Sequence, residues 1–326
     1  MIKFLLICCS CCVTVFSSAQ KNDSLVVTRE KGFFSILYEN DVFTKTDYYY
    51  TQGVRAELVL PGLSHSPVNF ILPVLKTNTL QYSGLDVEQD CYTPTSLVAD
   101  TIRKGDRPYS GAIYIGAFRV SNDEKNHQRL TAGIDLGTVG PCALCEEEQK
   151  GIHRVLVDQQ PMGWGFQIRQ DALINYRLGY EKGVYLNNFF EFLVKAQAQA
   201  GTFKDNLSVG ATIRLGSMHS YFKFYEPGIG KERMGGEDEK GQFFFFVQGQ
   251  TSLIGYDATL EGGLFDTNNV YVINPSALER VVYSFSGGVC WYYKKFRITY
   301  SQTYISPEFN GGLNHAWGSV LFQFGF

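Results

Sequence analysis

Apolar and polar side chains alternate with a period of two along most of this chain. Phe190, Phe192, Val194, Ala196, Ala198 and Ala200 interleave with Glu191, Lys195, Gln197 and Gln199. Leu207, Val209, Ala211, Ile213 and Leu215 do the same against Ser208, Thr212 and Arg214, and Phe296, Ile298 and Tyr300 against Arg297, Thr299 and Ser301. Such a period belongs to a strand, whose side chains point to its two faces in turn. The final stretch, 320–326, has Val320, Phe322, Phe324 and Phe326 at its even positions and no charge, and reads as the closing strand of an outer-membrane barrel. The pattern predicts twelve strands, at 33–41, 49–60, 78–90, 108–120, 128–139, 171–181, 186–200, 206–215, 241–254, 279–291, 294–305 and 314–326. An even number of antiparallel strands suits a closed transmembrane β-barrel, with apolar side chains on lipid and polar ones in the lumen. A soluble sandwich also alternates, but turns its apolar face inward.

Composition sharpens this all-β reading. Met1-Ile2-Lys3, a short apolar run and Ser17-Ser18-Ala19 have the form of a secretory signal cleaved near Ala19. Residues 20–326 are then one barrel domain. No later stretch has the eighteen or more consecutive apolar residues of a spanning helix. The 33 Gly, 20 Tyr and 25 Phe suit tilted strands with aromatic girdles. A formal charge of −3 and no basic stripe argue against a nucleic-acid partner. Beyond the leader four cysteines remain, Cys91, Cys142, Cys145 and Cys290, too few for a disulfide scaffold.

If the N-terminus is periplasmic, the connections at 42–48, 91–107 and 140–170 fall at the extracellular end. The connection at 216–240 falls at the other end and is long for a periplasmic turn. The extracellular group holds the chemistry: Glu39-Asn40-Asp41, Tyr50-Thr51-Gln52-Gly53, Gln89-Asp90-Cys91-Tyr92-Thr93-Pro94, Asp106-Arg107-Pro108-Tyr109-Ser110-Gly111, and Gly140-Pro141 followed by Glu147-Glu148-Gln149 and His153. Taken in order, over nearly all of the mature chain, these motifs resemble the lipid A 3′-O-deacylases of the Gram-negative outer membrane. The resemblance implies a twelve-stranded barrel with a short helix in an extracellular loop, lipopolysaccharide as the substrate, and a calcium-dependent esterase site near the rim. It also implies that a loop histidine activates water while Ca2+ polarises the ester carbonyl.

The residues bear this out chemically to different degrees. Pro141 and the acids Glu146, Glu147 and Glu148 suit the first turn of a helix, on which Gln149 and His153, four apart, share a face. Histidine is the side chain best suited to take a proton from water near neutral pH, although an isolated loop histidine is more often simply solvated; the resemblance implies that His153 is the general base and that Gln149 meets the substrate. His65, His127, His219 and His315 match no such motif. Asp41 offers the hard oxygen calcium prefers, and Asn40 an amide for metal or oxyanion; both residue types also occur in hairpin turns for backbone reasons alone. Strand alternation places Asp41 inward with Ser35 and Glu39, and Asn40 outward with Phe34, Ile36 and Tyr38, so joint action requires a twist or bulge, or a site opening toward the leaflet. Thr51 falls inward with Arg55 and Glu57; threonine also favours strands for packing reasons alone, and it is the resemblance that implies a hydroxyl orienting water or the ester.

Arg103, Lys104, Arg107 and Arg154 form a basic group suited to the phosphates of lipid A; Arg107, within a matching motif, is the binding candidate. Cys142 and Cys145 read as a local disulfide or two free thiols ahead of a zinc site. Trp164 reads as an interfacial anchor. There is no Gly-x-Ser-x-Gly elbow, which favours water over an acyl-enzyme. Two other readings compete with the deacylase: a non-catalytic barrel, as a narrow channel or an adhesin, and a surface phospholipase.

Overall fold

A computed structural model of the protein describes residues 32–46, 48–76, 79–156, 159–223 and 241–326; the expected leader lies outside them. Twelve strands occur among the described residues: β1 (Phe33–Asn40), β2 (Tyr49–Val59), β3 (Leu80–Thr93), β4 (Ser110–Asp123), β5 (Gln128–Val139), β6 (Asp171–Leu186), β7 (Phe190–Gly201), β8 (Lys204–Ser217), β9 (Gln242–Asp257), β10 (Val281–Tyr293), β11 (Phe296–Ile305) and β12 (His315–Gly325). Each pairs antiparallel with its sequence neighbours, and β12 returns to β1, with Phe33 opposite Gly325 and Asn40 opposite Gly318. Closure leaves the sheet no free edge. Each predicted strand has its counterpart. The largest extension is in β6, which runs on to Leu186 through a register shift between Gly183 and Tyr185.

The outer surface is apolar. Ile36, Leu85, Val87, Ile115, Leu136, Ile174, Leu207, Val209, Leu253 and Phe285 are all exposed on it. Aromatic side chains concentrate at its two ends, with Tyr38, Tyr283 and Tyr304 near one and Tyr185, Phe243, Trp291, Tyr293 and Phe324 near the other. An apolar band between aromatic girdles fits hydrocarbon and not water.

The lumen is polar and largely filled. Asp86 accepts from Arg55 at 2.8 Å and from Arg177 at 2.9 Å, and Arg177 also meets Asp135 at 2.7 Å. Glu191 and Arg214, expected to point inward, pair across β7 and β8. Near the rim that holds both ends of the barrel chain, Phe33, Val59, Tyr82, Phe118 and Val120 pack together. The start of the long β8–β9 connection also turns into this end: Phe222 is fully buried, and Tyr221 N donates to Glu191 Oε1 at 3.0 Å. A cavity of about 220 Å³ remains in the lumen on the β8–β12 side, lined by Lys204, Gln250, Ser252, Tyr256 and Trp317 among others.

The opposite, distal rim collects the connections after β1, β3, β5, β7, β9 and β11. They include helix α1 (Cys145–Leu156) and the short helix α2 (Ala258–Glu261).

Candidate active site at the distal rim

Strand β1 stops at Asn40 because the chain turns at once into a 3-10 turn, Asp41–Phe43, capped by Asn40 Oδ1 accepting from Val42 N at 2.8 Å. Phe43 then folds back on the outer wall, its ring 6.4 Å from that of Tyr38 and 6.3 Å from that of Tyr300. Asn40 itself points outward, its Nδ2 donating to the Tyr38 hydroxyl at 3.1 Å. Asp41 lies beyond the sheet, so alternation no longer governs it. The alternation that set it inward therefore does not extend to it. Asp41 is 4% exposed, and the outward Tyr38 phenol lies within electrostatic reach of both Asp41 and Glu148.

Thr51 also departs from the inward position expected of it, for a different reason. In the ladder between β2 and β3, Tyr50 faces Tyr92 and Gln52 faces Cys91, so Thr51 is the extra residue of a bulge. Tyr50 points inward, its hydroxyl donating toward Glu39 Oε2 at 2.8 Å and Asp90 Oδ1 at 3.0 Å. Gly53 permits this, since a Cβ there would sit 1.9 Å from the Tyr50 hydroxyl. The bulge turns Thr51 to the outer face with Gln52, where its Oγ1 shares a 2.7 Å hydrogen bond with Thr93 Oγ1. The backbone at Tyr49 enters this segment at φ 70, in a region bulky side chains rarely occupy and one associated with functional strain.

Helix α1 packs on the same outer face. Pro141 opens a 3-10 turn, Pro141–Ala143, rather than the helix itself; α1 begins at Cys145 after Leu144 at φ 61. Three contacts seat it. Cys145 is disulfide-bonded to Cys91, an outward residue of β3. Gln89 Nε2, in the same outward row, donates to Ala143 O at 2.7 Å. Gly111 of β4 leaves room, as a Cβ there would lie 2.7 Å from Cys145 Sγ. Both readings of this pair, a local disulfide or two free thiols, are therefore corrected: Cys145 is bonded to the wall, and Cys142 alone is exposed and free.

On α1, Cys145, Gln149 and His153 recur every four residues and so share the face turned to the wall. Gln149 is 2% exposed, and its Oε1 accepts from Trp164 Nε1 at 2.7 Å. His153 stands about 6 Å further along the axis. Its Nδ1 is 2.6 Å from Gln159 O. A carbonyl oxygen only accepts, so Nδ1 carries the proton of the neutral ring and Nε2 keeps its lone pair. Glu148 faces the wall as well. Burial pushes its carboxyl up, partly offset by hydrogen bonds from Gln89 and Gln52.

Asn40 is the ladder partner of Gln52, Thr51 adjoins it, and Glu148 ties α1 to it, so the first turn of α1 and the ends of β1 and β2 meet at one patch, with His153 about two turns further along the same helix. Gln52, Gln89 and Cys91 stand in visible motifs, but an outward residue on a strand reads as interfacial; Glu148 reads only as an acid of the first helical turn.

Arg107 lies elsewhere. Its side chain is 0% exposed, stacked 4.2 Å over the Tyr92 ring, paired with Glu308, and its Nη2 donates to Thr259 Oγ1 at 2.7 Å. It joins three distal connections from within the barrel mouth, its charge met by Glu308, so its expected contact with a substrate phosphate is not carried further. Lys104 and Arg154 are exposed. Trp164, expected as an interfacial anchor, is 1% exposed, its ring 4.8 Å from that of Tyr109 in the cluster beneath α1.

Among the described residues no three His, Cys, Asp or Glu gather as a metal cluster. The rim supplies instead one nearly buried carboxylate, Asp41, with Glu148 and the oxygens of Thr51 and Gln52 nearby. This set fits an oxygen-seeking cation whose remaining ligands are water, as calcium accepts.

LpxR from Salmonella typhimurium, a solved structure, overlays with a TM-score of 0.72 at 19% identity, covering 90% of this chain and all of that one, and shares the fold. The β domain of the Bordetella autotransporter BrkA covers 92% of this chain and all of its own at 8% identity and a TM-score of 0.42. No curated protein matches in sequence. The family model described as outer membrane protein LpxR matches residues 4–326. With that match over almost its entire length, this outer-membrane β-barrel belongs to the LpxR family.

Proposed function

We propose that this barrel hydrolyses the ester that links an acyl or acyloxyacyl chain to the 3′ position of lipid A. The distal rim is read as the extracellular one, which sets the site in the leaflet that holds lipopolysaccharide. LpxR membership makes the chain a lipid A deacylase, a hydrolase. The observation that carries the finer reading is that α1 and its histidine are fastened to the outside of the wall, where an acyl chain lies, and not over the lumen.

His153 acts as general base. With Nδ1 committed to Gln159 O, Nε2 takes a proton from water as that water attacks the ester carbonyl carbon. The same proton returns to the departing sugar oxygen, leaving a fatty acid and a free 3′-hydroxyl. Gln149 binds the substrate, Asn40 holds the 3-10 turn that carries Asp41, and the Thr51 hydroxyl orients water or ester from the bulge. Calcium, held chiefly by Asp41, would polarise the ester carbonyl when bound. Arg154, next to His153 and exposed, is better placed than Arg107 to meet a phosphate.

The test is mass spectrometry of lipid A incubated with purified protein and calcium. The wild type is expected to release the 3′-linked chains, and His153→Ala to release none. Absence of release by the wild type, or full activity of His153→Ala, overturns the reading. Faster cleavage of glycerophospholipid than of lipid A in mixed micelles would identify a phospholipase.

A further inference from the structure

Trp164 takes no part in the proposed chemistry, yet it decides how one participant is presented. An indole N–H donates and does not accept, so its 2.7 Å hydrogen bond requires the oxygen of the Gln149 amide on the Trp164 side. The amide nitrogen must then face away. That Nε2 is buried and has no hydrogen-bond partner among the described residues, in a side chain whose other end is fully committed. Rotating the amide by half a turn would set donor against donor and leave both unsatisfied.

The indole is itself fixed. It sits in the 3-10 turn Gly163–Phe166, whose flanks are clamped by Met162 N donating to Leu97 O at 2.8 Å and Ile168 N donating to Tyr109 O at 2.9 Å. Gly163 allows the turn to approach this closely, since a Cβ there would lie 2.4 Å from the Tyr109 ring. A buried donor without an acceptor is destabilising until something accepts from it. Gln149 stands one turn before His153 on the wall-facing side of α1, so the natural acceptor is an oxygen of the molecule His153 acts upon.

We infer that Trp164 is a positioning residue that locks the Gln149 amide with Nε2 directed at the carbonyl oxygen of the bound ester, where negative charge develops during attack. This rests on the hydrolase reading above. The lock holds the donor in place before the substrate arrives.

The experiment compares full-length wild type with Trp164→Phe, Gln149→Ala, the double variant and Gln149→Glu, in detergent with lipid A and calcium. Trp164→Phe keeps the ring and removes the N–H; kcat is expected to fall by about 10- to 100-fold with KM little changed. Gln149→Ala is expected to lose at least as much, and the double variant no more than Gln149→Ala. Gln149→Glu keeps an acceptor for the indole but has no donor, so it should lose kcat even if Trp164→Phe fails to assemble. Indole exchange in 15N-Trp-labelled protein gives a readout independent of activity: Trp164 should be protected in the wild type and in Gln149→Glu, and unprotected in Gln149→Ala. Full kcat in Trp164→Phe or Gln149→Glu, losses that multiply in the double variant, or an unprotected wild-type indole would overturn the inference. An inactive wild type with a protected indole would instead count against the deacylase reading.

Discussion

Cys91, in the outward row of β3, and Cys145, the first residue of α1, are disulfide-bonded across 54 residues of sequence with their Cα atoms 5.7 Å apart. A free chain of that loop length would lose about 4 kcal/mol of denatured-state freedom on cross-linking. Strands β3, β4 and β5 already hold the two ends near each other, so the bond acts on the seating of α1 more than on the barrel. Cys91→Ser and Cys145→Ser are each expected to leave heat-modifiable gel mobility unchanged while lowering lipid A deacylation by about 10-fold or more. Activity and gel mobility measured on the same preparations check this.

The Thr51–Thr93 hydrogen bond makes the bulge testable. Thr51→Val keeps the shape and removes the hydroxyl; it is expected to cost about 1 kcal/mol of rim stability and to reduce kcat. Thr51→Ser should retain most activity. Equal kinetics of the two variants would show that shape, not the hydroxyl, matters there.

Glu148 provides a charge test. Its carboxyl is pushed up by burial, so the folded form binds its proton more tightly than the unfolded chain does, and docking of α1 weakens as pH rises through that raised value. Glu148→Gln, which cannot ionise, should keep α1 protected from hydrogen exchange at alkaline pH where the wild type loses protection.

Asp106 titrates with the opposite sign. Burial alone would raise its carboxyl, but hydrogen bonds from Thr95, Arg103 and the Arg107 amide hold it below the usual carboxylate range. Its contribution is complete above the unfolded value of about 4 and disappears as pH falls through the lower folded value. Limited proteolysis of the connection between β3 and β4 should therefore accelerate only in strong acid in the wild type, and at neutral pH in Asp106→Asn.

Arg107→Ala leaves the half-buried Glu308 without its partner and removes a buried side chain from the barrel mouth, and is expected to destabilise the distal rim by about 1–3 kcal/mol. The effect should be the same toward lipid A and toward its dephosphorylated form. A loss confined to phosphorylated substrate would assign Arg107 to phosphate after all.

Period-two alternation made the barrel legible, because one face had to meet hydrocarbon along every strand and the signal repeats twelve times. Asn40, Asp41, Thr51, Gln149 and His153 were legible as motif residues. The side of the wall was legible for Asn40 but not for the residues beside it, since alternation fails where a strand ends, at Asp41, or takes in an extra residue, at Thr51. Neither event leaves a mark in a single sequence. The partner of Cys145 was hidden for a related reason: Cys91 is remote in the chain and near only after β3, β4 and β5 have paired. The ion pair of Arg107 was equally hidden, because Glu308 lies some two hundred residues on and comes beside it only in the closed barrel.

Fastening α1 to the exterior of the wall has a kinetic consequence. A glycolipid can reach His153 by gliding sideways, its acyl tails never leaving their neighbours and its headgroup never crossing a pore. Turnover should then follow the mole fraction of substrate in the surface and not its bulk molarity, so that diluting lipid A with inert amphiphile at constant total concentration slows the reaction as surely as withholding it.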